Sequence, residues 1–195
     1  MHDVIQQGVQ ALAAQNGVTR WLAVLCATGV IVLLAAAWLG AALHGRRALT
    51  VATAARIIAL AVLALLLAKV LTHVVSDPRP YLVDHVPALT PLSRDNGFPS
   101  DHTLLAAVLT ASLWWIDRRL VLPFAIGAVL VMLGRLGVGA HHTIDVLGSV
   151  AITLAAALVA RALPLPARWS APLLPSLRQA ADAVVRPIVR RDPWA

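Results

Sequence analysis

Long apolar runs constrain what this chain can fold into more than any other feature of its sequence. The first, residues 21–43, contains no Asp, Glu, Lys or Arg and is long enough to cross a bilayer as a helix. Similar runs follow at about 57–75, 103–116, 121–138 and 143–163. A backbone in lipid must satisfy its hydrogen bonds internally, and helices do this within each segment. We therefore expect an all-α, integral membrane helical bundle with five transmembrane helices.

Both ends of the sequence differ from these runs. Near the start, Ile5, Val9 and Leu12 recur at helical spacing among glutamines, which predicts an amphipathic N-terminal helix lying on the bilayer. A weakly ordered terminus is the alternative. We place a membrane-embedded domain at residues 1–163 and a Pro- and Arg-rich cytoplasmic tail at 164–195. Basic and apolar residues alternate in that tail, which favours contact with an anionic membrane surface over a plain solvated tail.

The charged residues support a membrane protein and indicate its orientation. The formal net charge is +7, with fifteen arginines, one lysine and no glutamate. In a soluble protein this excess would favour nucleic-acid binding, but here most arginines lie at the ends of apolar runs in a chain that is 59% hydrophobic. We therefore expect a phospholipid bilayer and no nucleic acid as a partner. Arginines between alternate runs are expected on the cytoplasmic side, which directs the loops at 76–99 and 138–142 outward.

Unusual polar residues lie at the run ends that this topology brings to one membrane face. They are, in chain order, Lys69, Arg79, Ser100, His102, Arg135, His141 and Asp145. Ser100 is the expected N-cap of the third helix. Ionisable groups at membrane depth are usually functional. Three cations beside two helix N-termini predict an anion site that suits phosphate better than carboxylate.

The most informative pair in this set is His141 and Asp145. Four residues apart, they share a face if both lie on a helix, so the carboxylate can hold one imidazole nitrogen and leave the other as a nucleophile or base. Gly137 and Gly139 just before them allow close approach of the backbone to a ligand. A purely structural His–Asp pair at a helix start is the alternative. A metal site that includes His102 is also conceivable, but the neighbouring cations would repel a divalent ion, so we expect no metal and no cofactor.

Three segments together resemble the three signatures of the type 2 phosphatidic acid phosphatase superfamily. They are Lys69…Arg79-Pro80, Pro99-Ser100-Asp101-His102 and Arg135-x5-His141-x3-Asp145. The nine-residue gap between the lysine and the arginine, and Asp101 where glycine is usual, resemble the bacitracin-resistance type of undecaprenyl pyrophosphate phosphatase. Gly134 stands where the superfamily usually has serine.

The resemblance implies a chemistry for these residues. His141 would attack phosphorus and form a phosphohistidine, Asp145 would fix its tautomer, and His102 would protonate the leaving oxygen. The residues that would hold the phosphate oxygens are Lys69, Arg79, Ser100 and Arg135. The implied protein is a metal-independent phosphatase of the bacterial plasma membrane whose site faces the extracytoplasmic side. It would convert undecaprenyl diphosphate to the monophosphate and so recycle the lipid carrier of cell-wall biogenesis.

Two other functions stay open at this point. One is a broader lipid phosphate phosphatase that acts on phosphatidate or phosphatidylglycerophosphate. The other is a non-catalytic membrane protein that binds anions, although the complete set of His102, His141 and Asp145 argues against it. The sequence predicts no particular oligomeric state.

Overall fold

The helices predicted from the apolar runs are present. The residues that the computed structural model describes are 3–45, 49–84, 87–171 and 173. Within them the fold consists of helices joined by loops, so the expected all-α class is confirmed. Two parts of the sequence predictions lie outside the described residues: the arginine pair Arg46 and Arg47, and most of the basic tail, 174–195.

The first long helix begins before its apolar run and contains one wider turn. The first three α-helices are α1 (Val4–Ala14), α2 (Gly17–Val24) and α3 (Val30–His44). A single π-helical turn, Leu25–Gly29, joins α2 to α3. Asn16 caps α2 by accepting hydrogen bonds from two backbone N–H groups in its first turn. This cap, rather than the onset of apolarity, sets the start of the 28-residue segment Gly17–His44.

The later helices follow the predicted runs with shifted ends. They are α4 (Val51–Val74), α5 (Pro80–Val83), α6 (Asp101–Ile116), α7 (Val121–Gly137) and α8 (Thr143–Ala162). Helix α4 begins at Val51 rather than near residue 57, because Thr50 Oγ1 accepts a hydrogen bond from the backbone N–H of Thr53 and caps it.

Four helical segments are long and apolar enough to cross a membrane. They are Gly17–His44, Val51–Val74, Arg118–Gly137 and Thr143–Ala162. The third predicted span, α6, has 16 residues, which corresponds to about 24 Å at 1.5 Å per residue and is less than the roughly 30 Å of a hydrocarbon core. Within the described part of the chain, length and apolarity thus support four of the five predicted spans.

The short helix α6 lies at the centre of the bundle. On one side Ala106 and Leu113 pack with residues of α3 and α7, and on the other Leu104 packs with residues of α4 and α8. The outer faces of the long helices expose leucines, valines and isoleucines, which suits helices surrounded by lipid. Because α6 contacts α3, α4, α7 and α8, polar residues at its N-terminus can meet the ends of its neighbours.

Helix α1 packs against α7. Ile5 and Leu12 are exposed, as the amphipathic prediction requires, while Gln10 is buried. The prediction is wrong for Val9, which is half-buried and faces α7: a Cβ on Gly137 would lie 3.7 Å from its side chain. Gln6, Gln10 and Val9 therefore face the protein, while Ile5 and Leu12 face outward.

Candidate active site

The site forms where the α7–α8 loop meets the long loop that follows α4. His141 lies in the α7–α8 loop and not on the last helix as predicted, because α8 begins at Thr143 and His142 occupies the N-cap position. The argument from a shared helical face therefore does not hold for His141 and Asp145. The two side chains meet nonetheless, with His141 Nδ1 3.4 Å from Asp145 Oδ2.

A backbone group sets the orientation of the His141 imidazole. Its Nδ1 atom lies 2.9 Å from the carbonyl oxygen of Gly97. A carbonyl oxygen can only accept, so Nδ1 carries the proton and donates it, and the opposite nitrogen, Nε2, carries a lone pair and no proton. Sequence reasoning missed Gly97. Its place in an Asn-Gly pair within a polar loop indicated a turn but not this contact.

Only glycine fits at position 97 without displacing its neighbours. A Cβ on Gly97 would lie 2.9 Å from the carbonyl oxygen of Asp77 and 3.0 Å from Asp145 Oδ2. The first distance is shorter than the contacts that Cβ atoms make in proteins, so the backbone would have to shift. The second distance would require the Asp145 carboxylate to move by a few tenths of an ångström. The absence of a side chain at Gly97 therefore allows a carbonyl and a carboxylate to reach His141 together.

Asn96 attaches this loop to the end of α4. Its Nδ2 atom donates hydrogen bonds to the carbonyl oxygens of Thr72 at 3.0 Å and Val75 at 2.7 Å. Its Oδ1 atom accepts a hydrogen bond from the backbone N–H of Asp77 at 2.8 Å. These bonds give Gly97 a fixed position, so its carbonyl oxygen approaches the imidazole from one direction.

The unprotonated nitrogen of His141 faces two arginines, whose N–H groups can donate to its lone pair. Its Nε2 atom lies 3.2 Å from Arg135 Nη2 and 3.4 Å from Arg79 Nη1. Burial first, and then the positive charges of Arg135 and Arg79, lower the pKa of His141 to about 3. The imidazole is therefore neutral at physiological pH, and a nucleophilic lone pair lies beside two guanidinium groups that suit an anion.

Arg79 is held by groups that sequence reasoning did not single out. Asp95 Oδ1 accepts hydrogen bonds from Arg79 Nε at 3.0 Å and Nη2 at 2.7 Å, while Nη1 donates to the carbonyl oxygen of Ala140 at 3.2 Å. The Ser93 hydroxyl and then Arg79 hold the pKa of the Asp95 carboxyl below its ordinary value. The loop after α4 thus supplies both the arginine and the carboxylate that orients it.

Ser100 and His102 lie where α6 begins. Ser100 is fully buried and occupies the predicted N-cap position, but its side chain makes no capping hydrogen bond. Its Oγ atom instead accepts a hydrogen bond from the Thr103 hydroxyl at 3.1 Å. His102 is half-buried and lies near enough to Arg135 and His141 to interact with them electrostatically.

Lys69 is placed differently from the other predicted residues. It is exposed on α4, where its carbonyl oxygen accepts a hydrogen bond from His73 Nδ1 at 2.7 Å. Within the described ranges no hydrogen bond or ion pair joins its ammonium group to Arg79, Arg135 or His141. Its role as a phosphate ligand stays a prediction.

His142 belongs to a second polar cluster behind Asp145. Its Nδ1 atom lies 3.1 Å from the carboxyl group of Asp77 and its Nε2 atom 3.7 Å from Asp84 Oδ2. Its backbone N–H donates to Asp145 Oδ2 at 2.9 Å. Burial and then the negative charge of Asp145 raise the pKa of Asp77 above its ordinary value. The backbone N–H of His142 therefore donates to Asp145, the carboxylate next to His141, while the His142 imidazole lies against Asp77.

The same cluster contains the one group of side chains in the described residues with spacing suited to a metal ion. Ligand atoms of Asp77, His142 and Asp145 all lie within 4.8 Å of one another. The hydrogen bonds of His142 to the two carboxylates account for much of this closeness. Oδ1 of Asp145 is buried and makes no hydrogen bond with the described residues, so a chelator test is warranted.

Comparison with known proteins identifies the family of this chain. The model of the PAP2 superfamily matches residues 51–169, which include α4 to α8 and every predicted site residue. An undecaprenyl-diphosphatase of Bacillus subtilis, BcrC, is 34% identical over 84 residues. That similarity covers 43% of this chain and 44% of the relative, so it spans less than half of either. No solved structure matches the chain.

Proposed function

Because the chain belongs to the PAP2 superfamily, we propose that it is a membrane lipid phosphatase that hydrolyses undecaprenyl diphosphate to the monophosphate. The observation that carries the proposal is the neutral His141, whose Nε2 lone pair lies beside the guanidinium groups of Arg79 and Arg135. The name of the Bacillus subtilis relative supports the choice of substrate.

The two arginines would hold the oxygens of the terminal phosphoryl group. Guanidinium groups offer several N–H donors in a fixed plane, which suits phosphate oxygens whose charge grows in the transition state. Nε of Arg135 is buried and has no hydrogen-bond partner among the described residues, so it is one donor available to substrate. Ser100 would add a hydroxyl donor at the N-terminus of α6, and Lys69 a positive charge from α4.

The first chemical step transfers the terminal phosphoryl group to the protein. Nε2 of His141 attacks phosphorus in line, and the bond between phosphorus and the bridging oxygen breaks. His102 donates a proton to that oxygen, and undecaprenyl monophosphate leaves. Gly97 keeps the proton on Nδ1, while Asp145 stabilises the positive charge that develops on the phosphorylated imidazole.

The second step hydrolyses the phosphohistidine. His102, now neutral, takes a proton from water, the water oxygen attacks phosphorus, and the bond between phosphorus and Nε2 breaks to release inorganic phosphate. Each step places its positive charge among Arg79, Arg135 and an imidazole, so the proposed reaction needs no metal.

The proposed topology has five membrane crossings with the site on the extracytoplasmic side of a bacterial plasma membrane. Helix α6 would be the short central crossing, packed against α3, α4, α7 and α8. Arg94 is exposed on the loop after α4. In a Cys26→Ser background, Arg94→Cys should react with an impermeant thiol reagent on intact cells. Reaction only after permeabilisation would reverse the orientation.

The proposed substrate is tested by phosphate release from a lipid panel in detergent. We expect undecaprenyl diphosphate and farnesyl diphosphate to be hydrolysed well above phosphatidate and phosphatidylglycerophosphate, with His141→Asn as the inactive control. Equal or faster turnover of phosphatidate would favour a broader lipid phosphatase. If no lipid phosphate is hydrolysed but inorganic phosphate binds, the protein is a non-catalytic anion binder.

A further inference from the structure

The polar side of α1 is buried against the loop that carries the nucleophile. Gln6 and Gln10 are 0% and 3% exposed and are joined by a hydrogen bond of 2.6 Å, while Val4 and Ile5 on the other side are 76% and 61% exposed. Such an arrangement fits a helix with lipid outside and a polar protein surface inside. The inward side of α1 is therefore packed on the protein, and among the described residues Gln6 Oε1 and Gln10 Nε2 have no hydrogen-bond partner.

One target of that side is Gly139, two residues before His141. A Cβ on Gly139 would lie 2.7 Å from Gln10 Nε2. Gly139 also has a φ of 74°, a backbone angle that residues with a side chain rarely adopt. The positive φ favours glycine here, and the end of the Gln10 side chain packs directly on it.

A second and more specific contact comes from Asp3, at the start of α1. Its Oδ2 atom accepts a hydrogen bond from the backbone N–H of Thr143 at 2.5 Å, and its Oδ1 atom accepts one from the Thr143 hydroxyl at 2.8 Å. The same carboxylate caps α1 by accepting from the backbone N–H of Gln6 at 3.0 Å. Burial raises the pKa of Asp3, but the hydrogen bonds from Gln6 and Thr143 outweigh it and hold the pKa below its ordinary value, so the group is ionised at neutral pH.

The Asp3 contact completes a pair of carboxylates around the nucleophile loop. The backbone N–H of His142 donates to Asp145, and the next N–H, that of Thr143, donates to Asp3. Two successive peptide groups immediately after His141 are therefore fixed by carboxylates, one from Asp145 three residues farther along and one from Asp3 near the start of the chain. The direction of the His141 side chain depends on this stretch of backbone.

We propose that Asp3 is a positioning residue for the nucleophile: with Gln10, it makes α1 a strap that fixes the 139–143 backbone and thereby the aim of His141 Nε2. The inference rests on the proposed phosphatase function. It adds to that function a helix that lies outside the matched range 51–169. Asp3 acts through His141 and touches no reacting atom, so its loss should affect the rate of reaction more than the binding of substrate.

The test compares Asp3→Ala with Asn16→Ala in the full chain. Asn16 caps α2 through two hydrogen bonds of 3.0 Å and makes no hydrogen bond to a site residue within the described part of the chain, so its loss matches the loss of a helix cap without changing a hydrogen bond of the nucleophile loop. With farnesyl diphosphate we expect Asp3→Ala to lower kcat about tenfold to a hundredfold, the effect of a small misplacement of a reacting group, with KM within about twofold of wild type. Asn16→Ala should keep wild-type kcat, and both variants should keep similar melting temperatures.

Two further variants separate positioning from helix capping. Asp3→Asn keeps an acceptor for the Thr143 N–H and should recover part of kcat. Thr143→Val removes only the hydroxyl bond to Asp3 and should have a small effect in wild type and no further effect on Asp3→Ala, because the two residues act as one unit. Equal kcat in Asp3→Ala and Asn16→Ala, or a loss that follows the melting temperature alone, would overturn the inference.

A readout independent of turnover separates this inference from the proposed function. The ¹⁵N signals of the His141 imidazole, assigned by their loss in His141→Asn, report its tautomer. We expect a single Nδ1–H form in wild type and a mixture of forms in Asp3→Ala. Wild-type protein that hydrolyses no lipid phosphate would refute the proposed function. Whether or not the protein turns over substrate, unchanged imidazole signals in Asp3→Ala would refute the positioning role of Asp3.

Discussion

The Nδ1 atom of His141 lies 2.9 Å from the carbonyl oxygen of Gly97, a residue 44 positions earlier in the chain. The Asp145 carboxylate lies farther from the same nitrogen, at 3.4 Å. A neutral carbonyl thus fixes the tautomer, and the carboxylate remains close enough to stabilise a positive charge once Nε2 has reacted.

His141 should be the nucleophile, and its neighbour should be dispensable. We expect His141→Ala to lower kcat by at least about 10⁴-fold, because loss of a nucleophile removes the covalent route. His142→Ala keeps the backbone N–H that donates to Asp145 and should retain most of the activity. Rapid-quench detection of a ³²P-labelled phosphohistidine checks both variants. An inactive His142→Ala beside an active His141→Ala would reverse the assignment.

Gly97→Ala should impair catalysis without unfolding the protein. The new Cβ would lie 2.9 Å from the carbonyl oxygen of Asp77 and 3.0 Å from Asp145 Oδ2, so the carbonyl that orients His141 must move. We expect kcat to fall about tenfold to a hundredfold. Gly40→Ala, where a Cβ meets nothing within 4 Å, is the matched control and should behave as wild type. A Gly97→Ala protein with normal kcat would show that this carbonyl is unimportant.

Gly134→Ser should lower the stability of this protein, although serine is usual at this position in the PAP2 superfamily. A Cβ on Gly134 would lie 2.3 Å from the backbone nitrogen of Ala27 and 2.5 Å from the carbonyl carbon of Cys26, both in the π-helical turn. Backbone atoms cannot rotate away, so we expect a loss of about 1–3 kcal/mol, as in other overpacked cores. The melting temperature in detergent measures it, with Gly40→Ser as control. Unchanged stability would mean that the α2–α3 segment shifts freely.

Acid should destabilise the folded protein through His141. Its pKa is about 3 in the fold against an ordinary 6.5, so between these values the unfolded chain binds a proton that the folded protein does not. Stability is therefore complete above about pH 6.5 and decreases as the pH falls toward 3. The melting temperature should drop less between pH 7 and pH 4.5 in His141→Gln than in wild type. An equal drop in both would place the acid sensitivity elsewhere.

Activity should survive excess EDTA, and vanadate should inhibit by imitating the pentacoordinate state at His141. In the proposed mechanism the positive charges beside the phosphate belong to arginine side chains. EDTA binds metal ions and leaves these side chains in place. Asp77→Asn in the group Asp77, His142 and Asp145 provides the comparison. If EDTA abolishes activity, added zinc or magnesium restores it, and Asp77→Asn is not restored, that group holds a required metal.

Local pattern was sufficient for much of the fold and for the identity of most site residues. Apolar runs predicted α3, α4, α7 and α8, because helices in lipid need continuous apolar surface. The observed ends differ from the predicted ones where a capping residue such as Asn16 sets the start of a helix. Arg79, Arg135 and His141 were expected together because neighbouring antiparallel helices bring alternate ends to one face, and they do meet. Lys69, expected by the same reasoning, is exposed on α4, and its role as a phosphate ligand stays a prediction.

Only the tertiary structure decided how those residues are aimed. The Gly97 carbonyl, the Asp95 carboxylate on Arg79 and the Asp3 carboxylate on Thr143 join segments 44, 16 and 140 residues apart. Loops have no periodicity from which the direction of a carbonyl or a carboxylate could be inferred, and α1 required a packed α7 before its glutamines could be assigned to the interior. The chemistry of the site follows from residue types at short spacing, whereas its geometry follows from contacts that exist only once the helices have packed.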